Sequence, residues 1–600
     1  MNLNVNKNIS LFIILIIFFA ACARMGSITG GPKDEQHPLI VKINPPNYTT
    51  NFDSKTVKIT FDEFIQLKDL KKNLIISPIM DEKPIIMAKG KDLVIKFQSE
   101  LKDSTTYNIY FGNSVQDFNE GNPIENFQYI FSTGEYVDSM SVQGQVLNSF
   151  NLLPEEEVLV MLYHSKEDSI PFKEKPNYIS KTNKKGLFRI NNIKLDDYKL
   201  FCLHDQNKNY IYDMPDEKIA FIDSLISFEL ITQTVVDTIF NKDTLVYPNT
   251  KHKKQASIDT IIERTEQVYT IPDLTLMLFK EDQRVQYLSN YKRDNKEKIE
   301  LFFNKPIKDS IEFKLLDTTI NNNWFIKEAT PNNDSIVFWL VDQTLSYIEK
   351  LDFTLGYQKE DSNLVYQWTI DTLNMKYYPK AKPKKKTKQP SLKYTININN
   401  DKLDLNKNIN LVFDKPIDYI DESNIYLFNI VDSLEYPINF RIEKVEGKLR
   451  QYQIVNNWLE DSTYTLEIYP GAFTNITEST NDTLITKFKV RKLDSYGKFL
   501  ANITGSDSTF QTIVQLIEQK KEKEIVLHEK IIQSDQVVEF DYLNPQKYIL
   551  KVILDKNKNG KWDEGNYLKH VPPEEVLYYE KETKVRANWD IKTDLNLKKQ

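Results

Sequence analysis

Three stretches of this chain place apolar residues at every second position: Val57, Ile59 and Phe61, then Ile299, Leu301 and Phe303, and again Ile409, Leu411 and Phe413. Side chains along a strand point alternately to opposite faces, so each stretch carries an apolar face that only a sheet can bury. A similar turn follows each one: Asp62-Glu63-Phe64-Ile65, Asn304-Lys305-Pro306-Ile307 and Asp414-Lys415-Pro416-Ile417. In the last two, proline ends the ladder and redirects the chain. Internal duplication of a β-domain accounts for strand and turn together. At 600 residues the chain is several times the length of one domain, so four or five separate cores are expected. Sixteen glycines against 32 Tyr and 33 Phe suit packed aromatic strands. The fold class expected is all-β.

The first copy continues with Leu93-x-Ile95-x-Phe97, Tyr107-x-Ile109-x-Phe111, a loop from Asp117 to Asn122, and Phe127 to Thr133. With Pro45-Pro46-Asn47 at its start and Phe131-Ser-Thr-Gly134 at its close, the segment 37–134 resembles the SbsA-type bacterial Ig-like domain. The third copy, 394–492, keeps Asp461-Ser-Thr-Tyr464-x-Leu466-x-Ile468, Pro470-Gly-Ala-Phe473 and Phe488-x-Val490. The second, 263–376, is divergent: it retains Leu351-x-Phe353-x-Leu355 and Tyr366-Gln-Trp368 without the glycine loop.

A second repeat type lies between and after these. Tyr198-x-Leu200 precedes Asp205, and Tyr548-x-Leu550 precedes Asp555 at the same separation. Upstream, Thr182, Gly186, Phe188, Ile190 and Leu195 resemble the carboxypeptidase-regulatory or transthyretin-like β-sandwich, with Val538, Phe540 and Leu543 as fainter counterparts. The resemblance implies two such sandwiches, 138–246 and 496–600, as binding or spacer modules; a fold of this kind confers no chemistry by itself. Pro379 to Pro390, rich in lysine and proline, reads as an extended, self-repelling linker within 377–393, and 247–262 as a polar connection.

At the amino terminus, Lys7 precedes an uncharged apolar run from Ile9 to Ala21, as in a signal peptide spanning 1–21. Phe19-Ala20-Ala21-Cys22 resembles a bacterial lipobox, although Phe19 departs from the usual Leu or Val. The resemblance implies cleavage before Cys22, lipid on its sulfur, and a flexible tether over 22–36. Several acyl chains hold a protein on a bilayer far more firmly than one. Ala23, where Asp would favour inner-membrane retention, implies the outer membrane, and Arg24 without an acidic cluster favours the periplasmic face over the cell surface. The other cysteine, Cys202, lies in a strand-like run and reads as a buried thiol.

Two loops carry candidate chemistry. Asp205, Asn207, Asn209 and Asp213, and likewise Asp555, Asn557, Asn559 and Asp563, place oxygen-bearing side chains at positions 1, 3, 5 and 9. This spacing suits a calcium ion of modest affinity, since hard cations take rings of oxygen ligands. Tyr210 stands at the turn-glycine position of the first loop, and Asn566 at the twelfth position of the second cannot supply a bidentate carboxylate. Asx-rich turns bonding their own backbone give the same pattern without metal, and both readings stand open.

The formal net charge of -7 gives no electrostatic reason to bind nucleic acid. Six scattered histidines form no transition-metal spacing, and no nucleophile elbow, P-loop or dinucleotide fingerprint occurs, so an enzyme is not expected. The function expected is a non-catalytic scaffold or interaction lipoprotein of the outer membrane, for example an accessory subunit of an outer-membrane protein assembly or transport complex. Its partners would be the bilayer, through acylated Cys22, and envelope or outer-membrane proteins. The alternative is a surface glycan-binding or adhesive lipoprotein, with Trp562 the tryptophan best placed to meet a sugar.

Overall fold

The computed structural model describes residues 34–214, 216–240, 258–281, 285–307, 310–316, 323–330, 332–361, 365–378, 391–521, 523–579 and 582–598. The expected signal peptide, Cys22, most of the expected tether and the Lys/Pro run 379–390 lie outside the described residues. Almost all regular structure is strand, and the α-helices among the described residues are single turns, Leu70–Asn73 and Gln343–Ser346.

Among the described residues, apolar side chains gather into five main cores. The first unites Val57, Ile59 and Phe61 with Leu93, Ile95, Tyr107, Phe111 and Phe131. Others form around Val160, Leu200 and Cys202, Phe313, Trp324 and Phe353, Leu411, Tyr464 and Phe488, and Phe499, Leu550 and Val552. All nine apolar residues of the three alternating stretches are buried, which follows from the period of the strand.

The three related modules also share their topology. In each, the alternating strand holds the second place of a four-stranded sheet: Thr56–Phe61 lies between Ile40–Asn44 and Asp92–Lys96, Lys298–Phe303 between Leu288–Asn295 and Ser335–Leu340, and Ile409–Phe413 between Tyr394–Ile396 and Gln451–Val455. A second sheet closes each sandwich. In the first module it comprises Ile75–Ser77, Thr106–Gly112 and Phe127–Ser132, where Tyr107 faces Phe131 across the ladder.

The other two sandwiches match each other strand for strand. Met140–Asn148 pairs antiparallel with Leu187–Ile193 and parallel with Leu274–Lys280. Gly497–Thr504 pairs antiparallel with Gln536–Leu543 and parallel with Asp590–Asn596. The remaining strands are built on Leu159–Tyr163 with Lys199–Leu203, which Lys218–Phe221 links to Leu274–Lys280 in one seven-stranded sheet, and on Gln511–Lys520 with Lys547–Asp555, which form a second sheet.

This pairing corrects two expected boundaries. Leu274–Lys280 was expected within the module 263–376, yet Leu276 and Leu278 are buried in the core of the sandwich expected to end at 246. The cause is an inserted ribbon, Glu229–Phe240 paired with Ile258–Thr270, which separates the closing strand from the rest of its sandwich. The polar connection expected over 247–262 therefore runs into a strand at Ile258.

The described residues divide into two compact units, one up to Asn148 together with Leu153–Leu278, the other Ser149–Leu152 together with Phe279 onward. Among the described residues, no helix is long and apolar enough to cross a membrane. Cys202 is fully buried, and desolvation pushes its thiol pKa well above the ordinary range, so it is not poised for thiolate chemistry.

Candidate functional site

The two aspartate loops have the same internal architecture. In the first, Asp205 accepts from the backbone N–H of Lys208 (2.5 Å) and Tyr210 (2.9 Å), while the Asn207 and Asn209 amides donate to Asp213 (2.9 and 2.8 Å). In the second, Asp555 accepts from Asn559 (3.2 Å) and Gly560 (2.7 Å), and Asn557 and Asn559 donate to Asp563 (2.5 and 2.6 Å). The fourth and sixth residues of both loops are left-handed: Lys208 and Tyr210 at φ 61° and 66°, Lys558 and Gly560 at φ 61° and 78°. Tyr210 thus adopts a conformation that its counterpart fills with glycine.

A third carboxylate, not identified from the sequence, holds each loop from beneath. Glu217 accepts from the backbone N–H groups of Gln206 (3.0 Å), Asp213 and Met214 (3.2 Å each). Glu574 accepts from Lys556 (2.7 Å) and Asp563 (3.1 Å), and burial raises its pKa. Both side chains are buried. Their distances along the chain from the first aspartate differ, twelve residues in one loop and nineteen in the other, so no common spacing reveals them. Gln511 completes the second loop by donating to Asp555 (2.7 Å).

All eight residues expected around calcium are therefore brought together, four per loop, in hydrogen bonds to one another and to the backbone. Among the described residues, no group of three or more His, Cys, Asp or Glu side chains forms a metal-binding cluster. An ion entering either loop must turn two asparagine amides away from their aspartate. Calcium at about 10 μM is accordingly expected to leave the melting temperature unchanged, with any binding confined to the roughly 0.1–1 mM range of weak oxygen sites. A calorimetric dissociation constant in the low micromolar range would overturn this. Trp562 is half-buried and donates to the Glu574 carbonyl (2.9 Å), which makes it part of the loop's framework.

Within each unit, neighbouring sandwiches meet through polar joints. In the first unit, Ser77 Oγ accepts from the Ile179 N–H (3.1 Å), Asn108 Nδ2 donates to Asn192 Oδ1 (3.3 Å), and Lys181 Nζ donates to the Lys72 carbonyl (3.1 Å). In the second unit, Glu328 takes Arg450 Nε (2.9 Å) and Trp339 Nε1 (2.8 Å), while Arg450 also donates to the Phe413 carbonyl (2.8 Å). Further along, Arg491 bonds Asp404 (2.8 Å) and Asn544 (2.6 Å), and its guanidinium lies 4.2 Å from the Tyr496 ring centre. Tyr496 itself donates to Asp404 (3.1 Å) and accepts from the Leu405 N–H (2.9 Å).

Beside the first of these joints a cleft of about 850 Å³ opens between the outer face of the sheet bearing Asn108, Tyr110 and Gln128 and the strands bearing Lys181 and Arg189. Its walls are mostly amide and charged side chains. No motif in the sequence marks it, because its two walls come from different modules.

Fold and joints define the class: a chain of tandem β-sandwich modules of Ig-like kind. Within it, residues 34–133 match the family model described as a bacterial Ig-like domain. No curated protein matches the sequence. Among solved structures the chain is similar to BcpA, the major pilin subunit of Bacillus cereus, at 10% identity over 76% of this chain and 98% of that chain, with a TM-score of 0.12. It is also similar to the S-layer protein SbsC, at 12% identity over 92% and 67% with a TM-score of 0.12. A third is SGBP-B of the Bacteroides ovatus mixed-linkage glucan utilization locus, solved with a heptasaccharide, at 8% identity over 84% and 99% with a TM-score of 0.16. At these scores the likenesses carry no argument of their own.

Proposed function

We propose that this protein is a non-catalytic scaffold of the bacterial envelope, held on the outer membrane by lipid on Cys22, which serves as an accessory subunit of a protein assembly or transport complex. The polar joints carry this reading. Glu328 with Arg450, and Arg491 and Asp404 with Asn544 and Tyr496 of the next module, fix neighbouring sandwiches through directed bonds to charged groups. Modules fixed in this way present their sheet edges in a set arrangement, and edges are a usual docking surface for β-modules.

Cys22→Ser is expected to move the protein from the membrane fraction to the soluble fraction while leaving its melting temperature unchanged. A Cys22→Ser protein that is processed and membrane-bound like the parent would falsify the anchor. Affinity purification from membranes in mild detergent is expected to bring down envelope proteins in fixed ratio, whereas recovery of a lone species would overturn the accessory role. Protease treatment of whole cells distinguishes the favoured periplasmic face, where the chain is protected, from the cell surface.

A further inference from the structure

We propose that the cleft of the first unit binds an acidic oligosaccharide, a run of hexuronic-acid residues. The assignment gives the scaffold a ligand and rests on the envelope reading only for access to such a polymer. At about 850 Å³ the cleft lies in the range of sites that enclose a ligand of several rings.

Its chemistry is that of a hydroxyl binder. Asn108, Asn113, Gln116, Asn126 and Gln128 line one region, and a side-chain amide carries both donors and an acceptor, the groups a sugar hydroxyl pairs with. Asn108 is 8% exposed; it donates to Gln128 (3.2 Å) and Asn192 (3.3 Å), while its Oδ1 has no donor among the described residues. Gln116 Oε1 is likewise without a donor. A buried acceptor left unpaired costs about 1–3 kcal/mol, and since both oxygens are enclosed a ligand hydroxyl gains from either one only as the amide turns outward into the cleft. The Tyr110 ring, its hydroxyl fixed on Asn126 (2.8 Å), offers an apolar surface to the C–H face of a sugar.

Charge selects the acidic form. Lys68, Lys72, Lys181, Lys184 and Arg189 line the cleft against three carboxylates, and one of those, Glu157, already faces Lys72 (3.4 Å) and Lys181 (3.8 Å). An extended peptide fits less well. A strand adding to this wall would need free backbone groups, but the Ile179 N–H is taken by Ser77 and the Thr182 N–H by the Val158 carbonyl.

Titration calorimetry of the purified chain with tetragalacturonate, with its carboxyl-reduced neutral tetrasaccharide, and with a peptide of alternating Asp and Gly tests the assignment. Tetragalacturonate is expected to bind, with the neutral sugar about tenfold or more weaker, the scale of one lost charge-assisted contact. Lys184→Gln with Arg189→Gln, both exposed at the rim, is expected to lower the uronate affinity at least tenfold and leave the melting temperature unchanged. Asn108→Ala is expected to weaken both sugars; because Asn108 also touches Asn192, the rim variant is the one that separates binding from folding. No heat with either sugar, equal affinity for the two, tighter binding of the peptide, or a rim variant that binds like the parent each overturns the proposal. None of these outcomes bears on the Cys22 anchor, so the two proposals fail separately.

Discussion

Lys551→Ala is expected to destabilise the last sandwich by about 3–5 kcal/mol, the usual cost of removing one partner from a buried ion pair. The Lys551 side chain is fully enclosed, and its ammonium donates to Glu524 (2.6 Å) and to the Phe150 carbonyl (2.9 Å), the segment Ser149–Leu152 being part of the second unit. Tyr578 donates to the other oxygen of Glu524 (2.5 Å). Without the ammonium, a carboxylate only 8% exposed is left uncompensated. Lys551→Met combined with Glu524→Gln is expected to recover most of the loss, because no buried charge remains. Urea unfolding of the two single variants and the double variant measures the coupling; additive losses would show that the pair does not act as one.

The same lysine predicts a pH dependence. Burial depresses its pKa, against the opposing pull of Glu524. Between the depressed folded value and the ordinary lysine value, the unfolded chain holds more protons than the folded one, so this group's contribution to stability rises with pH across that window and falls as pH drops back through it. Subtracting the Lys551→Met curve from the parent curve isolates the effect, and a difference that falls with rising pH would contradict it.

Asp555→Ala is expected to cost about 3 kcal/mol, since it strands three donors around a buried carboxylate. Those donors are the Gln511 amide and the N–H groups of Asn559 and Gly560, and Asp555 has no exposure. Asp205→Ala, at a half-exposed site, is expected to cost about 1 kcal/mol, because water reaches the groups it frees. Equal losses at the two positions would show that burial does not distinguish the loops.

Much of the fold was legible because a strand with one buried face must alternate. Val57, Ile59 and Phe61 and their two counterparts announced both the class and the duplication, and all nine are buried. The closing strand Leu274–Lys280 was hidden for a different reason: its own residues alternate well, but the partner that claims it, Met140–Asn148, lies across an inserted ribbon. Local pattern specifies a strand and leaves its neighbour open. The aspartate loops were legible as spacing, whereas Glu217 and Glu574 were not, because each reaches its loop through a turn of different length. No motif marks Lys551, because what encloses it comes from residues such as Glu524 and Tyr578, on other strands. The cleft was least legible, since Asn108 and Lys181 belong to modules whose contact no periodicity records.

The parallel pairing of Met140–Asn148 with Leu274–Lys280 has a mechanical consequence. These are the first and last strands of one sandwich, and because they run in the same direction, tension applied along the chain pulls them past one another lengthwise. The five registered residue pairs from Gly144 with Leu274 to Asn148 with Leu278 then share the load and must fail together, whereas an antiparallel hairpin pulled from its open end yields one rung at a time. The sandwich is therefore built to resist being drawn out when its two ends are pulled apart, a property suited to a module that stands in the middle of a long chain of domains.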